Sequence, residues 1–288
     1  MGRSQSRTRA AEASIHKGGE RTPASKDRPR AGRRPSPADL KGLIFLSIAA
    51  LAGRWLYLLH IRGNPTFLHP TADPLRYHNR ALEILGGDLL GSGVFFHSSP
   101  LYPYFLAFNY ALNGQSIFLT YLAQAFVDVA GVVLLWFLAR RLLGRGTAWI
   151  CAVMAAGYQA FIFFTGELLE ITLVLTATTA ALYLLVAAGD RSARRGPGDR
   201  GARQSPVDRA VHQDPIAPLL GAGLCLGLAA LGKPNILATI PFLAAGWKVT
   251  TGLPWRRTIR PMIVFACGAA IMILPVTARN LLVGDDLV

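Results

Sequence analysis

The sequence predicts an all-α fold: a polytopic transmembrane helical bundle of about seven spans, with interfacial helices in the first outer loop. Three observations predict it. Hydrophobic residues make up 52% of the 288 residues although the formal net charge is +14, which requires apolar and basic residues to be segregated along the chain. The apolar residues fall in runs near the roughly 20 residues a helix needs to cross a bilayer core. When those runs are threaded in order, the strongly basic connections all fall on one side, as the positive-inside rule asks.

Residues 1–39 are polar and Arg-rich and read as a disordered basic cytoplasmic tail. This lead is far longer than the n-region of a secretory signal, and Glu12, Glu20 and Asp27 count against a transit peptide. The expected spans are Leu40–Ile61, Ser116–Leu138, Thr147–Thr165, Leu168–Ala188, Ile216–Leu231, Ile236–Thr250 and Ile259–Thr277. The fifth and sixth are short and share a break at Lys233-Pro234-Asn235, so a kinked pair or a partly interfacial pair is the alternative. Gly223 and Gly227 in the fifth form a small-xxx-small pair suited to close helix packing.

Leu101–Leu112 is too short to cross and carries Pro103, Asn109 and many aromatics, so it is expected to lie at the membrane surface. With a cytoplasmic N-terminus, Arg140, Arg141, Arg145, the Arg-rich tract 189–215, and Lys248, Arg256, Arg257 and Arg260 are then cytoplasmic. The loop 62–115, the turn at Gly166-Glu167, the Lys233-Pro234-Asn235 turn and Arg279-Asn280 collect on the outer side. Tract 189–215 is low-complexity and is assigned no structure. Because the basic tracts flank lipid-length apolar runs, membrane lipids are their expected partners, and nucleic acid is not. Cys151, Cys225 and Cys267 stand singly in apolar runs without metal or redox spacing.

Four motifs can carry chemistry. In Asp73-Pro74-Leu75-Arg76-Tyr77, Asp73 suits a helix N-cap and Pro74 the first helical position. Tyr77, Ala81, Ile84 and Leu85 then share the apolar face of an interfacial helix. A carboxylate at a helix N-terminus is also held ionised, as a general base requires. Ser98-Ser99-Pro100-Leu101-Tyr102-Pro103-Tyr104 opens the second surface helix. In Gly166-Glu167-Leu168-Leu169-Glu170, Glu170 lies in apolar register, where an ionisable group is costly and by default functional. Lys233-Pro234-Asn235 and Pro275…Arg279-Asn280 each place a cation beside a proline at an outer face, where snorkelling is the plain alternative.

Together these motifs resemble the GT-C class of membrane glycosyltransferases, which includes protein O-mannosyltransferases and the aminoarabinose transferases of lipid A. The likeness runs from about residue 40 to the end. It rests on an acidic-x-x-Arg-Tyr helix start after the first span, Gly87-Asp88 closing that helix, and a Tyr-rich second surface helix ending in Asn113-Gly114. It also rests on the Lys-Pro-Asn turn and on a Pro…Arg-Asn ending followed by Gly284-Asp285. The resemblance implies transfer of a hexose or pentose from a polyprenyl-phosphate carrier to a hydroxyl of a lipid or protein acceptor, on the extracytoplasmic side. It implies residence in a bacterial inner membrane. It assigns Asp73 as the catalytic carboxylate, with Glu167 or Glu170 as a second. Arg76, Tyr77, Tyr102, Lys233, Arg279 and Asn280 would bind substrate, and a divalent metal held by carboxylates is allowed but not required. Several family members carry a lysine before the proline of the second surface helix; here that residue is Ser99. Family members usually have more spans, so 40–288 reads as an N-terminal portion of such a domain. The competing reading is a transporter or lipid flippase, which predicts ionisable residues deep in several helices and internal repeats. A scaffold without catalysis is the third, and it fits if Asp73 and Glu170 are replaceable without effect.

Overall fold

A computed structural model describes residues 35–91, 99–194 and 215–284. Most of the expected tail, the core of tract 189–215, Ser98 and Asp285 lie outside the described residues. What is described is helical, with no strand. In order, the helices are α1 (Pro37–Ile61), α2 (Ala72–Leu85), α3 (Leu101–Asn113), α4 (Ile117–Leu143), α5 (Arg145–Gly157), α6 (Gln159–Thr165) and α7 (Ile171–Arg194). Then follow α8 (Ile216–Gly232), a 3-10 segment Pro234–Thr239, α9 (Ile240–Thr251) and α10 (Trp255–Gly284). All seven expected spans fall on helix, but seven crossings are not what the lengths support. Among the described residues four helices are long and apolar enough to cross a membrane, or five if the α5–α6 pair, bent by 50°, counts as one span. The fifth and sixth segments fall short because the chain turns at Lys233, which is extended, and Pro234 opens a 3-10 segment rather than continuing the helix.

Local sequence sets the helix ends. Ser36 and Asp39 form a reciprocal capping box at the start of α1. Asp39 also accepts a hydrogen bond from Arg145 Nε at 2.7 Å, joining the starts of α1 and α5. α3 stops at Gly114, whose left-handed φ of 64° suits glycine. The outward face of α3 is a stripe of Tyr104, Phe108 and Leu112 at four-residue spacing, while Tyr102, Leu106 and Tyr110 are buried. Half of the helix therefore packs on protein and half is left for lipid, as an interfacial helix should be.

The close approach of α8 and α10 depends on small residues. A Cβ on Gly223 would stand 2.0 Å from the Phe265 carbonyl oxygen, and one on Gly227 2.6 Å from that of Ala269. Gly268 answers from α10, where a Cβ would stand 2.5 Å from the Leu220 carbonyl oxygen and 3.0 Å from the Gly223 Cα. The small-xxx-small reading holds, and its partner is the last helix.

The deepest polar contact was not anticipated. Arg54 of α1 is fully buried and forms an ion pair with Asp128 of α4, its Nε 2.6 Å from Oδ2. Its Nη1 donates to the Ala50 carbonyl at 3.0 Å and to the Ala156 carbonyl at 3.1 Å. Ala156 precedes the α5–α6 break, where carbonyls lose their intrahelical partners. Arg54→Ala should therefore leave Asp128 buried and unpaired, at a cost of about 3–5 kcal/mol, and the Arg54→Leu/Asp128→Leu double variant should recover part of it. Thermal unfolding of the purified protein in nanodiscs measures this. An Arg54→Ala protein as stable as the parent would show that the pair does not hold the helices.

Candidate active site

The candidate residues gather at one end of the bundle, the end carrying loop 62–116. α2 is seated there by Tyr77, Ala81 and Ile84, spaced four and three residues apart; Leu85, expected on the same face, is instead exposed. Tyr77 packs edge-on against Tyr102 of α3, with ring centroids 5.2 Å apart. His78 Nδ1 lies 2.7 Å from the Tyr110 hydroxyl, a second tie between the surface helices.

Gln124 connects this face to the turn before α7. The Tyr102 hydroxyl donates to Gln124 Oε1. Gln124 Nε2 donates in turn to the carbonyls of Thr165 at 3.2 Å and Glu167 at 2.8 Å. Both polar atoms of that buried amide are thus used, Nε2 on the 165–170 turn and Oε1 on Tyr102.

Glu170 ends that turn. It is not inside the helical register, as the hydropathy suggested, but one residue before α7, where its carbonyl accepts from Val174. Its side chain is only 4% exposed, and Oε1 is 2.6 Å from Lys233 Nζ. Lys233 does not snorkel away; half exposed, it turns back onto this carboxylate. The approach is tight: a Cβ on Gly232 would meet Val174 Cγ2 at 2.2 Å. Glu170 Oε2 is buried without a hydrogen-bond partner among the described residues. Tyr77 stands near enough that burial first, and then the Glu170 charge, holds its phenol well above the ordinary range.

Asp73 does not cap α2. Thr71 occupies the N-cap position without a side-chain bond, Ala72 has a φ of 53°, and Asp73 falls in the first turn. The helix begins at Ala72, two residues before the Pro74 start that an Asp73 cap would give. Asp73 Oδ1 is 2.6 Å from Arg76 Nη2, with both side chains about 60% exposed. A pair so open to water contributes little stability. It leaves the Asp73 carboxylate one turn from Tyr77.

Arg279 is also no snorkelling residue. It is buried, donating from Nε to the Leu90 carbonyl at 2.6 Å, from Nη2 to that of Gly91 at 3.3 Å, and from Nη1 to Asn280 Oδ1 at 3.0 Å. Arg80 reaches the same place, held by Glu83 at 2.7 Å and Asp88 at 3.3 Å. A Cβ on Gly91, whose φ is +78°, would stand 2.9 Å from an Nη2 of both arginines. Gly91 alone lets the two guanidiniums converge.

Glu167 faces elsewhere. It lines a separate cavity of about 240 Å³ between α1, loop 64–74 and α4, where burial raises its pKa. The structure thus brings Tyr77, Tyr102, Glu170 and Lys233 together, sets Arg279 and Asn280 against Leu90–Gly91, and leaves Asp73 with Arg76 and Glu167 apart. Among the described residues no group of three or more His, Cys, Asp and Glu gathers as metal ligands. Asp73 and Glu170 are each already balanced by a cation. The donor set does not fit a resident divalent metal, and no step is derived through one.

Sequence reasoning passed over Gln124, Asp128, Arg54 and Arg80. Gln124 and Asp128, four residues apart in an apolar run, carried a readable signal of an inward polar stripe. Nothing in the sequence distinguishes Arg80 from any other surface arginine.

Removing Lys233 should cost more than removing its partner's charge. Lys233→Met strands the Glu170 carboxylate and should lower stability by about 1–3 kcal/mol, less than for a fully buried pair because the lysine is half exposed. Lys233→Met/Glu170→Gln should regain most of that. Chemical unfolding in mixed micelles resolves the difference, and equal stability of the single and double variants would show the pair to be idle.

No curated protein and no solved structure matches the chain. Residues 97–196 match the family model of dolichyl-phosphate-mannose-protein mannosyltransferases. The matched stretch contains Tyr102, Glu167 and Glu170, while Asp73, Arg76, Tyr77, Lys233, Arg279 and Asn280 lie outside it. This match, on an all-helical membrane bundle, supports a GT-C-like membrane glycosyltransferase.

Proposed function

We propose that the chain moves a sugar from a polyprenyl-phosphate carrier to an acceptor hydroxyl on a lipid or protein, on the extracytoplasmic side of a bacterial inner membrane. The observation that supports this most is the convergence of Tyr77, Glu170 and Lys233, from three separate stretches of sequence, at the end that also holds Arg279. In this reading residues 40–288 form one transmembrane glycosyltransferase-like domain. The N-terminus, residues 1–39 and tract 189–215 are cytoplasmic, and loop 62–115 is outside.

The chemistry asks for two charges. As the acceptor oxygen bonds to the anomeric carbon, its proton must pass to a carboxylate. Asp73 serves as that base, with Arg76 beside it and water access to shed the proton. Glu170 is the second carboxylate, its unpartnered Oε2 able to accept from a substrate hydroxyl. The bond that breaks joins the anomeric carbon to the carrier phosphate oxygen, whose growing negative charge needs a cation. Lys233 is the readier contact because half its side chain is exposed. Arg279 backs it from a buried position and shapes loop 90–91, with Asn280 bonded to it. Arg76, Tyr77 and Tyr102 line the approach.

Since Asp73 is not a cap, Asp73→Asn and Asp73→Ala should both insert and melt like the parent. Both should lose transfer by on the order of a hundredfold or more. The assay is transfer from a panel of labelled polyprenyl-phosphate sugars in membranes, and near-normal transfer by Asp73→Asn would remove Asp73 from the chemistry. The orientation is tested by single cysteines at His69 and Gly146, both exposed, in a Cys-free background. An impermeant thiol reagent applied to intact cells should label His69→Cys alone. Equal labelling of the two would refute the sidedness.

A further inference from the structure

The cavity that Glu167 lines has no place in the mechanism above, although Glu167 lies only three residues before Glu170. Its walls are fixed. Gly166 lets the turn press against α1 so closely that a Cβ there would meet Ile61 Cδ1 at 2.8 Å and Tyr57 Cε1 at 3.1 Å. Across from it, the Tyr121 hydroxyl donates to the Phe67 carbonyl at 3.2 Å and pins loop 64–74 to α4. Phe67 and Tyr121 stack at 5.1 Å. The space between is therefore preformed rather than a gap between mobile side chains.

Its lining narrows what it can hold. Among the described residues no Lys, Arg or His lines it and its one carboxylate is Glu167, so a phosphate or carboxylate ligand would meet net repulsion. A metal ion would find one carboxylate where hard cations take six or more oxygen ligands. What the lining offers is aromatic surface from Tyr57 and Phe163, set beside the polar groups of Glu167, Asn64 and Thr71. Asn64 Oδ1 is engaged by Thr66, through its backbone N–H at 3.3 Å and its hydroxyl at 3.1 Å, which leaves the amide NH₂ as a donor. A half-buried carboxylate with no cation beside it is best satisfied by accepting hydroxyl hydrogens. Flat apolar faces interleaved with such acceptors and donors suit a ring that carries C–H faces and hydroxyl edges.

We propose that this cavity binds a neutral, hydroxyl-rich unit, a single sugar or polyol ring, with Glu167 accepting its hydroxyls. Pro74 lines the same cavity, so the ring sits against the residue next to Asp73. This placement makes the ring the part of the acceptor that receives the transferred sugar, and that identification rests on the sugar-transfer reading. The acceptor is then itself glycosylated or polyol-bearing, and an acceptor offering only an isolated serine or threonine hydroxyl would fill little of the cavity.

The test uses the full chain purified in nanodiscs and saturation-transfer-difference NMR with methyl α-mannopyranoside, methyl β-glucopyranoside and myo-inositol as probes. At least one should receive saturation from the protein. The signal should fall at least about fivefold in Glu167→Ala, which removes the acceptor, and in Thr66→Trp and Asn64→Trp, which fill the cavity from exposed loop positions. Gly146→Ala, at a position where a Cβ meets nothing, should keep it. Using two filling variants allows either one to be set aside if its melting differs from the parent. Absence of saturation for all three probes, or its survival in every cavity variant, overturns the proposal. Cavity-dependent binding without transfer from any labelled carrier sugar would leave the ligand class standing and remove its role as acceptor. Transfer that is unaffected by the filling variants would leave the sugar-transfer reading standing and remove this cavity as its acceptor site.

Discussion

Arg54 and Asp128 are the constraint around which the bundle is arranged. A charged pair inside a bilayer-length bundle is costly unless its charges meet and its polar groups find partners. Arg54 reaches three helices, its own through Ala50, α4 through Asp128 and the bent pair through Ala156, while its Nη2 is left to the Asp128 ion pair without a hydrogen bond. The last contact matters most for shape. Ala156 stands beside the bend between α5 and α6, and the guanidinium donates to its carbonyl there. The direction of α6, and hence the position of Thr165 and the turn after it, follows from that bond.

From there the order of the candidate site is a relay of satisfied polar groups. α6 delivers the 165–170 turn to Gln124, and Gln124 holds it by its backbone while receiving the Tyr102 hydroxyl. Glu170 is left pointing toward Tyr77 and Lys233, and Glu167 toward α1. Two acids three residues apart thus serve different spaces, because the turn between them is not helical and does not place them on one face. Burial without a nearby cation raises the pKa of Glu167, whereas Glu170 is fixed by an ammonium. Ser99, where family members carry a lysine, donates instead to the Leu231 carbonyl at 2.9 Å, just before the turn that presents Lys233. The segment that Ser99 touches is the one that carries Lys233.

The opposite end is built on a different principle. Arg140, Arg141 and Arg145 were legible as a basic cluster, and the structure shows them shared among acids: Asp39 takes Arg145 and approaches Arg140, and Asp190 takes Arg141 at 2.7 Å. Arg140 and Arg141 also lie over the rings of Trp136 and Tyr183, at 5.1 Å each. Positive charge there is anchored to the helix ends rather than spread into solvent.

The sequence by itself determined where the helices lie, because hydropathy, prolines and glycines act over a few residues. It marked Gly223 and Gly227 as a packing face, α3 as a surface helix, and the acids and cations worth watching. It misjudged Asp73 as a cap, since the helix already begins at Ala72 behind Thr71, and no local pattern announces that earlier start or the left-handed φ of Ala72. It expected about seven spans, of which four or five are met by helices long and apolar enough among the described residues, because apolar composition does not reveal where the chain turns. Only the tertiary structure decided which charges meet. The Arg54–Asp128 contact joins residues 74 positions apart, and the Arg279 bonds to Leu90 and Gly91 span 189 and 188. Over such separations local sequence carries no distance information. The pairing is set by which helices pack, and by the cost of leaving a charge unpaired once they do.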